Sequence, residues 1–302
     1  MSPIAGILLL LSAITHAGWN FLSKRQHPTL AFYFIANNIG VLFVLPILIF
    51  YWKTISLIPA FVLTCLACSG FFLTVSMAAL AGAYRTGDMS IAYPLARSLP
   101  VIFVTFTTML LGLGKAVDVW FILGAFLIVC GCFLLPMQTH HNFRIRNYLN
   151  LCSLLPLLAA ICIAGYTMVD NEALASLRNL PGIPFSSVDA TLIYIALEAI
   201  SCSLWKGFFV FISPKERKYF FEVIRDHKTS AAVTGIGIYL TYGLVLASMN
   251  YVTNVSYVAA FRQISIPLGA VLGMVFLNEP RFKPKIIGIT VIFAGLILVG
   301  IV

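Results

Sequence analysis

Apolar runs of about twenty residues recur along this chain from end to end, separated mostly by short polar gaps. Hydrocarbon offers no partner to a bare N–H or C=O, so a run of roughly 20 apolar residues reads as a helix that crosses a bilayer. The runs fall at 3–22, 30–51, 57–82, 88–112, 117–136, 151–170, 189–212, 231–250, 254–277 and 283–302, which leaves little of the 302 residues for any soluble domain. Only 10% of the chain is charged and 61% is apolar, whereas soluble domains are about 25% charged. These features exclude an ordinary soluble enzyme, a disordered chain and a nucleic-acid binder. The expected fold is an all-α integral membrane protein of ten transmembrane helices. Met1 to Leu11 is apolar with no basic stretch ahead of it, so the first run reads as a retained span and not a cleaved signal.

The polar stretch 137–150 divides the spans five and five, and the halves, 1–137 and 150–302, match weakly in order. Ala17-Gly18-Trp19-Asn20 aligns with Ala164-Gly165-Tyr166-Thr167. Ala83-Tyr84, Ser90, Tyr93, Arg97 and Pro100 align with Asn250-Tyr251, Ser256, Ala260, Arg262 and Pro267. Spans 5 and 10 both continue as glycine-containing helices after a charged hinge. An odd number of spans per repeat makes the second copy enter the membrane upside down, so two inverted five-helix repeats around a central cavity are expected.

The net charge of +9 would suit a polyanion partner in a soluble chain. Here thirteen of the nineteen cations fall in the gaps after spans 1, 3, 5, 7 and 9, counting Lys283 and Lys285 at the very start of span 10, and only Lys53, Lys115 and Arg178 fall on the other side. By the positive-inside rule the thirteen are cytoplasmic and both termini lie outside, in a plasma (bacterial inner) membrane. The loop 213–230 mixes basic residues with Tyr219, Phe220 and Phe221, so it reads either as a short amphipathic segment on the bilayer surface or as a solvated loop.

Ionisable groups at membrane depth are costly and mark candidate sites. Arg97 and Arg262 lie within spans 4 and 9, each followed by a proline that interrupts the helical hydrogen bonds. Two repeat-related guanidinium forks suit a carboxylate or phosphate; the competing reading pairs each with a buried acid, Glu198 or Asp170. His16, Trp19, Asn20 and Ser23 recur at helical spacing on one face of span 1. Trp19 and Asn20 read as cavity wall together with Tyr93, Tyr166, Tyr239 and Tyr242, an aromatic lining that also fits an organic cation. His16, Glu198 and Asp170 are the candidates for proton coupling, with a structural pair between Glu198 and an Arg or Lys206 as the alternative. Gly269 and Gly273 form a G-x-x-x-G that permits close helix approach, within the chain or in a homodimer. Seven cysteines, including the C-x-x-C of Cys65 and Cys68, read as small buried apolar side chains. No phosphate-binding glycine loop, metal-ligand cluster or nucleophile–base spacing is present, so neither a cofactor, a metal nor an enzyme is expected, and ATP is not the direct energy source.

His16-Ala17-Gly18-Trp19-Asn20, Ser90-Ile91-Ala92-Tyr93-Pro94 with Arg97, and the Asn278-Glu279-Pro280 turn resemble the EamA-type branch of the drug/metabolite transporter superfamily. The resemblance extends over essentially the whole chain. It implies a bundle in which spans 1, 3, 4, 6, 8 and 9 enclose a cavity open alternately to each side, with Trp19, Tyr93, Arg97, Tyr166, Tyr239 and Arg262 in its wall. The sequence departs from the family pattern at Lys115, where an acid precedes span 5, and in its charge distribution, since relatives are often described with cytoplasmic termini. The expectation is a secondary active transporter, an exporter, that moves a small polar metabolite, amino-acid-like or anionic, by alternating access as a monomer or homodimer. A carrier of organic cations held in an aromatic cage is the alternative of the same class. A lipid-linked-sugar flippase or an intramembrane enzyme is the alternative of another class.

Overall fold

A computed structural model of the chain describes residues 3–26, 28–110, 119–138, 149–179, 186–249, 251 and 263–301. Among them the regular elements are helices and no strand occurs. In chain order they are α1 (Pro3–Arg25), α2 (Leu30–Phe50), the single turn α3 (Trp52–Ile55), α4 (Ala60–Thr86), α5 (Met89–Leu110), α6 (Val119–Leu134), α7 (Leu151–Arg178), α8 (Ser187–Ile212), α9 (Pro214–Glu222), α10 (Lys228–Met249), α11 (Ser265–Phe276) and α12 (Lys283–Ile301). A π-helical turn, Val223–His227, joins α9 to α10. Six helices among the described residues, α1, α2, α4, α5, α7 and α8, are long and apolar enough to cross a membrane. Phe106, Phe126 and Leu204 are 61, 64 and 70% exposed, and side chains of that kind spread over helix after helix suit lipid rather than water. The chain is an all-α membrane protein.

Helix ends follow local chemistry. The Thr29 hydroxyl accepts from the Phe32 N–H at 3.1 Å and starts α2. Ser186 and Asp189 form a reciprocal capping box at the start of α8, the Ser186 hydroxyl accepting from the Asp189 N–H at 3.1 Å. Asp189 also accepts from the Tyr51 hydroxyl at 2.6 Å, which raises the Tyr51 pKa above its ordinary value. At the end of α11, Asn278 takes a left-handed conformation (φ 55°), which asparagine tolerates better than most residues. Pro280 follows it and ends the helical path.

The chain forms two compact units, and each draws on both halves of the sequence. The first comprises Met1–Pro28, Ala79–Ile161 and Gly237–Val302; the second comprises Thr29–Ala78 and Cys162–Ile236. In the first, α6 lies against α12 along glycines. A Cβ added at Gly124 would meet the Gly295 carbonyl at 2.6 Å, and one at Gly131 would meet the Gly288 carbonyl at 2.7 Å. Only glycine lets the two backbones approach so closely, and in a bilayer such packing contacts carry helix association. The rest of this core gathers Tyr84, Met89, Tyr93, Ile128, Ile266 and Ile292.

The second unit is built around α2 and α8, where the Asn37 side-chain amide donates to the Ala199 carbonyl (3.0 Å) and to the Ser203 hydroxyl (2.7 Å). Another cluster, Val62, Leu66, Leu177, Ile193 and Tyr194, packs α4, α7 and α8 together. Helix α7 runs eight residues past the expected end at 170. Its extension buries Ala173 and Leu177 in this cluster, so packing carries the helix through Asp170-Asn171-Glu172.

Candidate functional site

Polar side chains on α1 at spacings of three and four point into the first unit. The Ser12 hydroxyl donates to the Thr241 carbonyl on α10 at 3.1 Å. The Asn20 amide donates to the His16 carbonyl at 2.8 Å, and its oxygen accepts from the Tyr84 hydroxyl at 2.9 Å, so Asn20 ties α1 to the end of α4. His16 lies edge-on to Trp19, ring centroids 5.0 Å apart, and 6.1 Å from the ring of Tyr93 on α5. The Tyr93 ring in turn rests on Gly269 of α11, where an added Cβ would sit 2.6 Å from it.

Arg97 is half-buried one turn beyond Tyr93. Pro94 and Pro100 lie on either side of it, and each removes the N–H that would bond four residues back, to Ser90 and to Ala96. The Ser98 hydroxyl takes up the Pro94 carbonyl at 2.8 Å. Buried Nε atoms of Arg97 and Trp19 have no hydrogen-bond partner among the described residues. A buried donor left unmatched costs on the order of 1–3 kcal/mol. The three ion pairs among the described residues are Lys218–Glu222, Arg225–Asp226 and Lys285–Asp88, so none of them involves Arg97, Glu198 or Asp170.

Below this group, the α4–α5 junction holds a dense set of matched charges. Glu279, from the turn after α11, accepts from the Met89 N–H (2.6 Å) and the Ser90 N–H (2.8 Å), and so caps the start of α5 with a carboxylate. Gly273 leaves room for that carboxylate, since a Cβ there would lie 2.6 Å from its oxygen. The G-x-x-x-G of α11 is therefore used inside the chain, one glycine for Tyr93 and one for Glu279. Fully buried Lys285 reaches Asp88 at 2.7 Å and the Ser90 hydroxyl at 3.1 Å. Lys24 donates to the Tyr84 and Gly87 carbonyls, the latter at 2.5 Å, where α4 ends. Arg85 donates to the Pro28 carbonyl. A cleft of about 500 Å³ opens between Lys24, Arg25, Arg85, Asp88, Asn278 and Glu279.

The second unit holds a different cluster. Buried Glu198 accepts from the Ser69 hydroxyl at 2.9 Å, and Asp170 accepts from the Tyr194 hydroxyl at 2.7 Å. The two carboxyl groups lie within hydrogen-bonding reach of each other. Lys206 is buried on the same helix as Glu198 but forms no ion pair with it.

The structure thus brings His16, Trp19, Asn20 and Tyr93 together, with Arg97 one turn on. It pairs Asp170 with Glu198 elsewhere. Tyr239 is half-buried and Tyr242 exposed on α10 in the first unit; Tyr166 is half-buried on α7 in the second. Arg262 lies outside the described residues. Tyr84, Asp88 and Lys285 are absent from the site residues expected from sequence, and so are Ser69 and Tyr194. Tyr84 and Glu279 carry a signal only as motif and repeat positions. Cys65 and Cys68 are free thiols, and no group of three His, Cys, Asp or Glu among the described residues is placed to hold a metal ion. Comparison with known protein families and with curated proteins returns no match.

Proposed function

We propose that this membrane protein is a secondary transporter of the EamA type, exporting a small polar metabolite with an anionic group by alternating access. The observation that carries the reading is the half-buried Arg97 beside the His16–Trp19–Tyr93 group, with its Nε and the Trp19 Nε1 both buried and unmatched among the described residues. Donors of this kind at membrane depth suit a bound solute that supplies the acceptors. Arg97 recognises the anionic group, with Arg262 as its repeat-related partner, and the aromatic side chains form the wall.

Two inverted repeats fit the glycines of α6 and α12, which recur at the same seven-residue spacing, Gly124 and Gly131 in one helix and Gly288 and Gly295 in the other. Asp170 and Glu198 are the coupling groups. A hydrogen bond between two carboxyl groups needs a proton on one of them, so the pair is suited to exchange one during the cycle.

A thermal-shift screen of the detergent-purified protein against matched anionic, zwitterionic, cationic and neutral metabolites tests the reading. Carboxylate or phosphate compounds raise the melting temperature of the parent and not of Arg97→Gln, because a ligand of the native state stabilises it by mass action. Stabilisation by quaternary or aromatic cations alone, equal in parent and variant, overturns it and favours the aromatic cage.

A further inference from the structure

The segment after α8 is a built helix with two dissimilar faces. The Ser213 hydroxyl accepts from the Glu216 N–H at 3.3 Å and Pro214 opens the first turn, so α9 starts on its own local signals. Its inner face is held by the second unit. The Phe220 ring lies 5.9 Å from Phe34 and 5.4 Å from Phe211, and Glu216 accepts from the Ala31 N–H at 2.9 Å in the first turn of α2. That carboxylate is therefore turned inward and taken.

The outer face continues through the π-helical turn. Phe221 and Ile224 are 63 and 44% exposed, and Lys215, Arg217, Lys218, Arg225 and Lys228 are exposed around them. Two carboxylates answer these cations: Glu222 lies 3.8 Å from Lys218, and Asp226 lies 2.9 Å from Arg225, whose hydrogen bonds, with its charge behind them, lower the Asp226 pKa. Lys215, Arg217 and Lys228 form no ion pair among the described residues. The exposed apolar side chains continue onto the lipid-facing end of α8, at Phe208, Phe211 and Ile212.

We propose that the outer face of α9 and the turn after it bind the headgroups of anionic phospholipids. Phe221 and Ile224 enter the boundary between headgroups and acyl chains, as the apolar stripe of an interfacial helix does. Arg217, Lys218 and Lys228 meet the phosphates, with the guanidinium of Arg217 offering a fork that matches them. Charge complementarity selects the partner, and continuity with the lipid-facing surface of α8 sets it at a bilayer. The surface is read without reference to any cargo, so it and the transport reading fail separately.

Native mass spectrometry of the full chain tests this in neutral detergent with equimolar phosphatidylglycerol and phosphatidylcholine. Each cation near an anionic surface is worth about a fivefold gain in affinity. The parent therefore retains phosphatidylglycerol over phosphatidylcholine by at least about tenfold, and the combined Arg217→Gln, Lys218→Gln and Lys228→Gln variant loses the preference. Lys53→Gln, at an exposed cation elsewhere, keeps it. Inorganic phosphate at matched concentration leaves the lipid bound; displacement by phosphate would identify a free-anion site and overturn the proposal. Equal retention of the two lipids by the parent, or an unchanged preference in the triple variant, overturns it as well. If the triple variant does not fold, Phe221→Trp in nanodiscs decides. Extra quenching, relative to the parent, by brominated phosphatidylglycerol above that by brominated phosphatidylcholine supports the proposal, and no extra quenching by either rejects it.

Discussion

The two buried polar clusters of this protein solve the same problem in opposite ways. At the α4–α5 junction Lys285 meets Asp88, Glu279 meets two N–H groups, and Lys24 meets the carbonyls that end α4. In the second unit Asp170 and Glu198 meet hydroxyls and each other. The first arrangement matches full or partial charges of opposite sign, so it fastens helix ends. The second leaves its acids without an ion-paired cation among the described residues, so hydrogen bonds and not opposite charge hold them.

Substitutions break or sharpen this contrast, and Lys285→Met has the largest expected effect. It leaves Asp88 without its cation and costs about 3 kcal/mol, the low end of the range for a buried ion pair, because the Asp88 side chain is 30% exposed and water takes up part of its charge. Unfolding in mixed micelles measures it, and the double variant with Asp88→Leu recovers most of the loss. A single variant as stable as the parent would falsify the fastening role. Glu279→Gln comes next, at about 1–3 kcal/mol, because an amide oxygen leaves one of the two N–H groups poorly matched. The same unfolding assay reads it.

Tyr194→Phe removes one hydroxyl from the acid pair and costs about 1 kcal/mol in that assay. On the transport proposal its larger effect falls on the proton dependence of flux in proteoliposomes, which changes if the pair registers protons and stays as in the parent if it does not. Arg97→Gln has the smallest expected cost in stability, none or a slight gain, since it breaks no ion pair among the described residues and removes a buried, unmatched Nε donor. The same variant loses the anion-dependent thermal shift. Marked destabilisation by Arg97→Gln would instead make the arginine structural.

The sequence discloses the features that depend on local pattern. Long apolar runs read as helices, and the spacing of His16, Trp19 and Asn20 places them on one face of α1. Partnership across the chain is another matter. Lys285 reads as one more loop cation, and its burial depends on Asp88, 197 positions away. Glu279 reads as part of a turn, whereas its role is set by the N–H groups of α5, which lie 189 and 190 positions away. Gly269 and Gly273 announce close packing without naming what packs there. The helical continuation of α7 beyond Asp170 is hidden because polar residues interrupt the run, while the contacts that hold it come from α4 and α8.

The glycine seam between α6 and α12 also carries a chirality. Its contacts repeat every seven residues, slightly less than two full turns of a straight α-helix at 3.6 residues per turn. Over each repeat the stripe drifts about 20° around the helix surface, and helices that keep such a stripe in contact compensate by winding left-handedly around one another. A seven-residue spacing of this kind favours a shallow left-handed crossing, of about 20° in the usual case, a preference carried by residues that have no side chain.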